Sequence, residues 1–290
     1  MIAQLVFVGL TTGAIYALIA VSLNLIYGTM RLLNIGHGDM AMVGAYISFW
    51  LFTLADVPPY VSFLIAPAVS GLFGLLLYRG MFAGLLRRVQ GDAVEGSSLL
   101  VFFGISMVVQ NSASLLFSGT PRAYRYFDGI VEFGGIAVTE SRLVALAVAV
   151  VAIGAVLAFL KFSIWGLGVR ALIQNRAASA IVGINVDFAF TFASVVGFAL
   201  AGLAGAVISM YQAVTPFMGG PYTTVGFVVI ILGGLGNING AIIGGLVVGL
   251  LETAGIALTG PNFRDLLIYG VFIAVLMLRP QGLFGRKGAH

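Results

Sequence analysis

Apolar runs of spanning length alternate with short polar breaks along the whole chain. A transmembrane helix needs about 20 mostly apolar residues, and on that rule Ala3–Tyr27 is the first predicted span. Gly28–Asp39, GTMRLLNIGHGD, is a short break punctuated by glycine. Met40–Leu54 is a second, shorter apolar run, closed by Val57-Pro58-Pro59. Val61–Tyr78 is a third, ended by Arg79, and a polar connection with Arg87 and Arg88 leads to a fourth over Leu99–Phe117. Ser118–Glu140 is the longest polar excursion, with Arg122, Arg125, Asp128, Glu132 and Glu140 nearly cancelling in charge. Leu143–Leu160 is a fifth span and Phe188–Tyr211 a sixth. Beyond the uncharged turn Pro216–Pro221, the run Tyr222–Leu235 is apolar but short for a crossing. Gly236-Asn237-Ile238-Asn239-Gly240 interrupts it, Ala241–Leu258 resumes, Gly260-Pro261 stops that run, and Leu266–Leu278 is the last. The pattern predicts a single transmembrane domain over residues 1–290. It is an all-α polytopic bundle of about eight to nine transmembrane segments with broken or re-entrant helices. Whether Tyr222–Leu235 crosses or re-enters stays open.

Between the fifth and sixth spans lies a different pattern. Gly166–Val186, GLGVRALIQNRAASAIVGINV, places apolar residues at Val169, Leu172, Ile173, Ala177, Ala180 and Ile181. That spacing is one face of an amphipathic helix. Arg170, Gln174, Asn175 and Ser179 fill the other faces, and Gly166, Gly168 and Gly183 bracket the run. Such a helix either rests on lipid or seats in a groove of a partner protein. Few lysines and many alanines suit close protein contact better than an anionic lipid surface.

Composition turns these runs into a class. The chain has 290 residues, 60% hydrophobic and 8% charged, against about 25% charged in a soluble domain. Too little charge remains to cover a water-facing surface, so the chain is an integral membrane protein. No extended alternation of apolar and polar positions marks a membrane barrel. Forty glycines suit close helix packing in lipid. The absence of cysteine excludes disulfides and thiolate chemistry, and a net charge of +4 reflects cytoplasmic loops rather than nucleic-acid binding. MIAQLVFVGL carries no Lys or Arg before its apolar residues, which favours a first transmembrane helix over a cleaved signal peptide. Positive charge gathers at Arg79, Arg87 and Arg88, at Lys161, Arg170 and Arg176, and at Arg279, Arg286 and Lys287. Those places are expected in the cytoplasm, with the N-terminus outside and the C-terminus inside. The arginines of 118–142 sit less comfortably in that scheme.

Chemistry-bearing residues are few. Asn34, Gly36, His37, Gly38 and Asp39 sit between two apolar runs; polar groups at membrane depth pair with each other or line a cavity, and the two glycines would let the backbone break there. His37 has no companion cluster of ligands, so it is read as a packed, hydrogen-bonded histidine beside the pathway reading. Around Gly234, Gly236, Asn237 and Gly240 a broken helix would offer N–H and C=O groups to a zwitterion; a plain glycine-packed turn explains the same residues. Ala193, Gly197, Ala201 and Gly205 recur every four residues, a packing face for a second subunit. Glu252 is either a proton relay or a hydrogen-bonded acid near the outer end of its helix, where Arg264 and Asp265 also lie. Asp187 and Ser141 read as helix N-caps.

Four stretches carry a family resemblance. Gly166–Ile184 resembles the cytoplasmic loop of ABC importer permeases. Asn34-Ile35-Gly36-His37-Gly38-Asp39 with Met40–Tyr46, and Gly233–Gly245 as GGLGNINGAIIGG, are similar to motifs of the branched-chain amino acid permeases. RPQGLFG at Arg279–Gly285 matches their C-terminal motif. The resemblance runs over essentially the whole chain and is strongest to the smaller, LivH-type subunit. It implies a non-enzymatic permease without cofactor or metal, paired with a second homologous permease subunit, two separate ATPases and a periplasmic substrate-binding protein in the bacterial inner membrane. The chain itself lacks a G-x-x-x-x-G-K-[ST] phosphate loop, so ATP would be hydrolysed elsewhere. The 166–186 run, in a loop of about 162–187, then becomes the coupling helix, with Gly168, Arg170, Leu172, Asn175, Ala177, Ile181 and Gly183 as its ATPase-facing residues. Urea and short-amide permeases share these motifs. A self-sufficient secondary transporter would need His37, Asp39 or Glu252 for ion coupling, and a membrane enzyme finds no convincing acid pair or Ser–His pair.

Overall fold

In the computed structural model the described residues are 2–89, 93–260, 263–279 and 282–284. Pro261, Arg286, Lys287 and, within the Arg279–Gly285 motif, Pro280, Gln281 and Gly285, named above, lie outside them. Helices α1 (Ile2–Met30), α2 (His37–Ala55) and α3 (Pro59–Leu77) are followed by a π-helical turn (Tyr78–Phe82) and α4 (Ala83–Arg88), then α5 (Ala93–Phe117). A two-stranded hairpin, β1 (Ile130–Phe133) and β2 (Ile136–Thr139), precedes α6 (Glu140–Phe162), α7 (Ile164–Gln174) and α8 (Arg176–Ile181). The chain continues through α9 (Val186–Ile208), α10 (Gly219–Gly233), α11 (Ile238–Thr259) and α12 (Arg264–Leu278). Among the described residues, seven helical segments are long and apolar enough to cross a membrane: α1, α2, α3 continued to Arg88, α5, α6, α9 and α11. At about 1.5 Å per residue, α10 with its 15 residues spans only roughly 22 Å of a ~30 Å hydrocarbon layer.

Two helices form the centre. From Gly13 to Met30 every residue of α1 is buried, and α9 is buried over most of its length. α1 packs on α11 through backbone contact. A methyl group built on Gly245 would lie 2.5 Å from Ala17 N and 2.6 Å from Ala17 Cα, and one on Gly249 would collide with the backbone of Gly13. Small residues thus bring the helix axes together where lipid gives no hydrophobic drive for association.

The small-residue face of α9 turns inward rather than toward another subunit. A side chain at Gly197 would strike Ile26 of α1, one at Gly205 would strike Ala41 of α2, and Ala193 and Ala201 are fully buried. The chain's own helices therefore occupy the expected partner face. Two cap assignments also move. Asn185, not Asp187, caps α9, its Oδ1 accepting from Phe188 N at 2.9 Å; Thr139 precedes α6 at the N-cap position and Ser141 lies within the helix.

The 118–140 excursion carries the hairpin. Gly134 and Gly135 take φ of +55° and +83°, as a two-residue turn requires. Tyr124 binds this loop to the bundle: its hydroxyl lies 2.9 Å from both Ser48 Oγ of α2 and Ser209 Oγ. Burial pushes its phenol above the usual range.

Candidate functional site

Asn34, His37 and Asp39 are all buried, but they do not form one group. Helix α2 starts at His37. His37 Nε2 is 2.6 Å from Ser22 Oγ of α1, and Nδ1 is 3.4 Å from Asn34 Nδ2. The Ser22 hydroxyl donates to Ile19 O at 2.7 Å, so its oxygen accepts from His37, placing the ring proton on Nε2. Nδ1 then accepts from Asn34. Every polar atom of the imidazole is used, and the ring is fully enclosed. Asp39 turns the other way, its Oδ1 accepting from Gln110 Nε2 of α5 at 2.9 Å. The expected local pairing therefore holds for Asn34 and His37 and fails for Asp39.

The glycines of this motif do not break the helix. Gly36 sits at the N-cap position of α2 with an ordinary φ of −81°. Gly38 lies inside α2, and its N–H donates to Thr223 Oγ1 of α10 at 2.8 Å. Any side chain at Gly38 would run into Gly219 and Thr223, so the residue is small because α10 passes directly over it.

The second motif forms a tight α10–α11 hairpin. Gly234 and Gly236 adopt φ of +100° and +80°, where a side chain would be strained. Gly233 and Gly240 meet backbone to backbone. The donors a zwitterion might have used are taken: Gly236 N donates to Asn24 Oδ1 of α1 at 2.8 Å, and Gly240 N donates to Asn237 Oδ1 at 3.0 Å. Asn237 Nδ2 donates to Phe284 O at 3.0 Å, and Leu283 N to Leu232 O at 2.7 Å, so the C-terminal segment is laced onto the turn. Asn24, a polar residue in the middle of an apolar run, is the partner of the turn that periodicity alone passes over.

The expected single helix over 166–186 is two. Asn175 leaves helical geometry with φ −157° and ψ 106°, ends α7, and caps α8 by accepting from Ala178 N at 3.0 Å. The apolar stripe is divided accordingly. Val169 and Leu172 are buried within the chain, and Gly166 presses on the backbone of Phe159 and Leu160 at the end of α6. Arg170, Ala177 and Ala180 are exposed, and Ile181 is 86% exposed. Gly168 lies near Ile184, and Gly183 turns the chain with φ +83° toward α9.

The 166–186 run and the α10–α11 hairpin meet in one cavity of about 780 Å³. Arg170 and Ile173 of α7, Gly236 and Asn237 of the hairpin, and the cations Arg31 and Lys161 line it. Ile173 is the contact between them. A methyl on Gly28 of α1 would lie 3.4 Å from Ile173 Cγ1 and 3.3 Å from Gly236 Cα, and one on Gly236 would lie 3.7 Å from Ile173 Cγ2. Asn34, His37 and Asp39 are not part of this cavity. A second cavity, of about 450 Å³, opens at the opposite ends of α1, α6, α10 and α11. There Glu252 accepts from Tyr16 Oη at 2.6 Å and pairs with Arg264 Nε at 2.6 Å, while Arg264 also donates to Tyr16 Oη at 2.7 Å. Residues up to 248 positions apart thus form one hydrogen-bonded triad.

Among the described residues, no three His, Cys, Asp or Glu side chains gather as metal ligands. Residues 5–276 match the model of the family described as branched-chain amino acid transport system / permease component. The chain is 29% identical over 300 residues to the high-affinity branched-chain amino acid transport system permease protein LivH of Escherichia coli K12, covering 98% of this chain and 95% of that protein. It is 27% identical over 289 residues to the BraD permease protein of Pseudomonas aeruginosa, covering 96% and 94%. A probable LivH permease protein of Methanocaldococcus jannaschii is 27% identical over 281 residues, covering 92% and 88%.

Proposed function

The chain belongs to the branched-chain amino acid transport system permease family, and on that premise we propose that it is the membrane subunit of an ATP-driven importer carrying leucine, isoleucine and valine. It works in the bacterial inner membrane with its N-terminus outside and its C-terminus in the cytoplasm. A second homologous permease subunit completes the pathway, two ABC ATPases hydrolyse ATP, and a periplasmic binding protein delivers substrate. The end of the bundle that gathers Arg31, Lys161 and Arg170 is the cytoplasmic one.

The observation that carries the coupling is Ile173, wedged between α1 at Gly28 and the α10–α11 hairpin at Gly236. The ATPases grip the outward residues Arg170, Asn175, Ala177, Ile181 and Gly183, with Gly168 allowing the close turn toward Ile184. Leu172 anchors α7 inside the permease. A displacement of α7 on ATPase closure then reaches both α1 and the hairpin through one side chain. Gly234, Gly236, Asn237 and Gly240 are the joint at which α10 and α11 shift. Asn34, Gly36, His37, Gly38 and Asp39 hold α2 against α1, α5 and α10 so that the helices move as a unit. Packed elements with two discrete arrangements are what alternating access requires.

Co-purification tests the docking. Arg170→Glu with Ile181→Glu reverses the charge and buries nothing new, whereas Asn175 substitution would also cost the α8 cap. Tagged ATPases encoded beside this chain are expected to lose the double variant while its membrane insertion stays at wild-type level. Recovery of the variant with the ATPases in wild-type amount overturns the coupling assignment.

A further inference from the structure

The cavity at the outer end has a composition that the coupling account does not use. Glu252 and Arg264 satisfy each other through Tyr16, but Arg142 at the start of α6 has no carboxylate partner among the described residues. Its guanidinium lies 5.9 Å from the centroid of the Tyr211 ring, and its N–H fork meets no hydrogen-bond acceptor among the described residues. An arginine of this kind is matched in geometry and charge by a carboxylate. Glu252, in the same lining, is 7% exposed and is the one carboxylate among the described lining residues. Leu5 and Val8 of α1 and Ile256 of α11 supply an aliphatic wall. A volume of about 450 Å³ lies within the roughly 300–1,000 Å³ of small-molecule sites.

A single cation in search of an anion, a single buried acid and an aliphatic wall are the three features of one ligand class. We propose that this cavity is an outward-facing site for a free α-amino acid with a branched aliphatic side chain. Its α-carboxylate binds Arg142, its α-ammonium binds Glu252 on the oxygen shared with Tyr16, and its side chain lies against Leu5, Val8 and Ile256. Arg264 orients Glu252 from behind. Urea and short amides carry neither charge nor an aliphatic branch, so they leave both Arg142 and the wall unused. The site rests on the importer reading for its place in transport, but its binding chemistry is measured separately.

The purified chain in lipid nanodiscs, with ligands added directly, reads the site. L-Leucine is expected to raise the thermal midpoint of the wild type. Isoamylamine, which lacks the carboxylate, and urea are expected to leave it unmoved. Arg142→Gln is expected to weaken leucine binding about 10- to 100-fold, the loss of one charge-assisted hydrogen-bonding partner, with the ligand-free midpoint unchanged, and Arg142→Lys to recover part of it. The site is refuted if leucine at tens of millimolar fails to shift the wild type, or shifts Arg142→Gln equally. Uptake of labelled leucine by cells carrying this chain with its neighbouring subunits separates the two ideas. Wild-type uptake together with an unaffected Arg142→Gln sinks the site and spares the importer; no wild-type uptake, with leucine still shifting the midpoint in nanodiscs, does the reverse.

Discussion

Replacing Gly245 with alanine tests the account of how this bundle is held together. In an exposed helix the change is favourable, because glycine costs about 1 kcal/mol relative to alanine. At Gly245 the new methyl would meet Ala17 N at 2.5 Å, Cα at 2.6 Å and Cβ at 2.8 Å. Non-bonded carbons rest at about 3.5–4.0 Å, so α1 and α11 must part by roughly 1 Å. The neighbours are backbone atoms and cannot rotate away. Parting also loosens the contacts at Gly13 and Gly249 on the same seam, which puts the cost near the top of the overpacking range, about 3 kcal/mol. Less the propensity gain, Gly245→Ala destabilises by about 2 kcal/mol. Gly154 of α6 is the control, since a methyl there meets nothing within 4 Å. Gly154→Ala should be stabilising by up to about 1 kcal/mol. Thermal unfolding in one detergent, followed by loss of monodisperse protein, compares the two. Equal midpoints for the pair would refute the argument that backbone contact on α1–α11 sets stability.

Other substitutions probe the joint and its lever. Ile173→Ala should leave the ATPases bound but lower substrate-stimulated ATP hydrolysis in the reconstituted complex; unchanged stimulation would remove Ile173 from the coupling route. Asn24→Ala strips the acceptor from Gly236 N and should cost about 1–3 kcal/mol, with Asn24→Asp retaining most of the stability in the same melt. Asn237→Ala loses the α11 cap, worth about 1 kcal/mol, and releases Phe284, so amide exchange at Leu283 should quicken; an unchanged rate would contradict the lacing of the C-terminal segment.

Spans and motifs were legible because both are local. Twenty apolar residues in a row describe a crossing whatever they pack against, and only the short α10 left room for two readings. The break at Asn175 was also written locally, as an Asx cap, but the 3.6-residue period of Val169 through Ile181 runs straight across it and hides it. Gly134-Gly135 between VEF and IAV is a hairpin signal that a search for membrane strands passes over for being short. What no period reveals is partnership at long range. The α9 glycines announce close packing without saying against what, and the answer was α1 and α2 of the same chain. Tyr16, Glu252 and Arg264 sit on three helices, and Asp39 reaches Gln110 of α5 rather than its own neighbour His37. Those pairings follow from how helices stack, which composition does not encode.

The seam where Gly13 meets Gly249 and Ala17 meets Gly245 lies along α1 and α11, between the two cavities at their ends. Backbones in contact leave no gap the width of a water molecule. Each cavity can therefore fill with water while the α1–α11 seam between them stays dry. A cell that holds its proton and sodium gradients across this membrane needs that dryness at every moment, including while the permease stands idle.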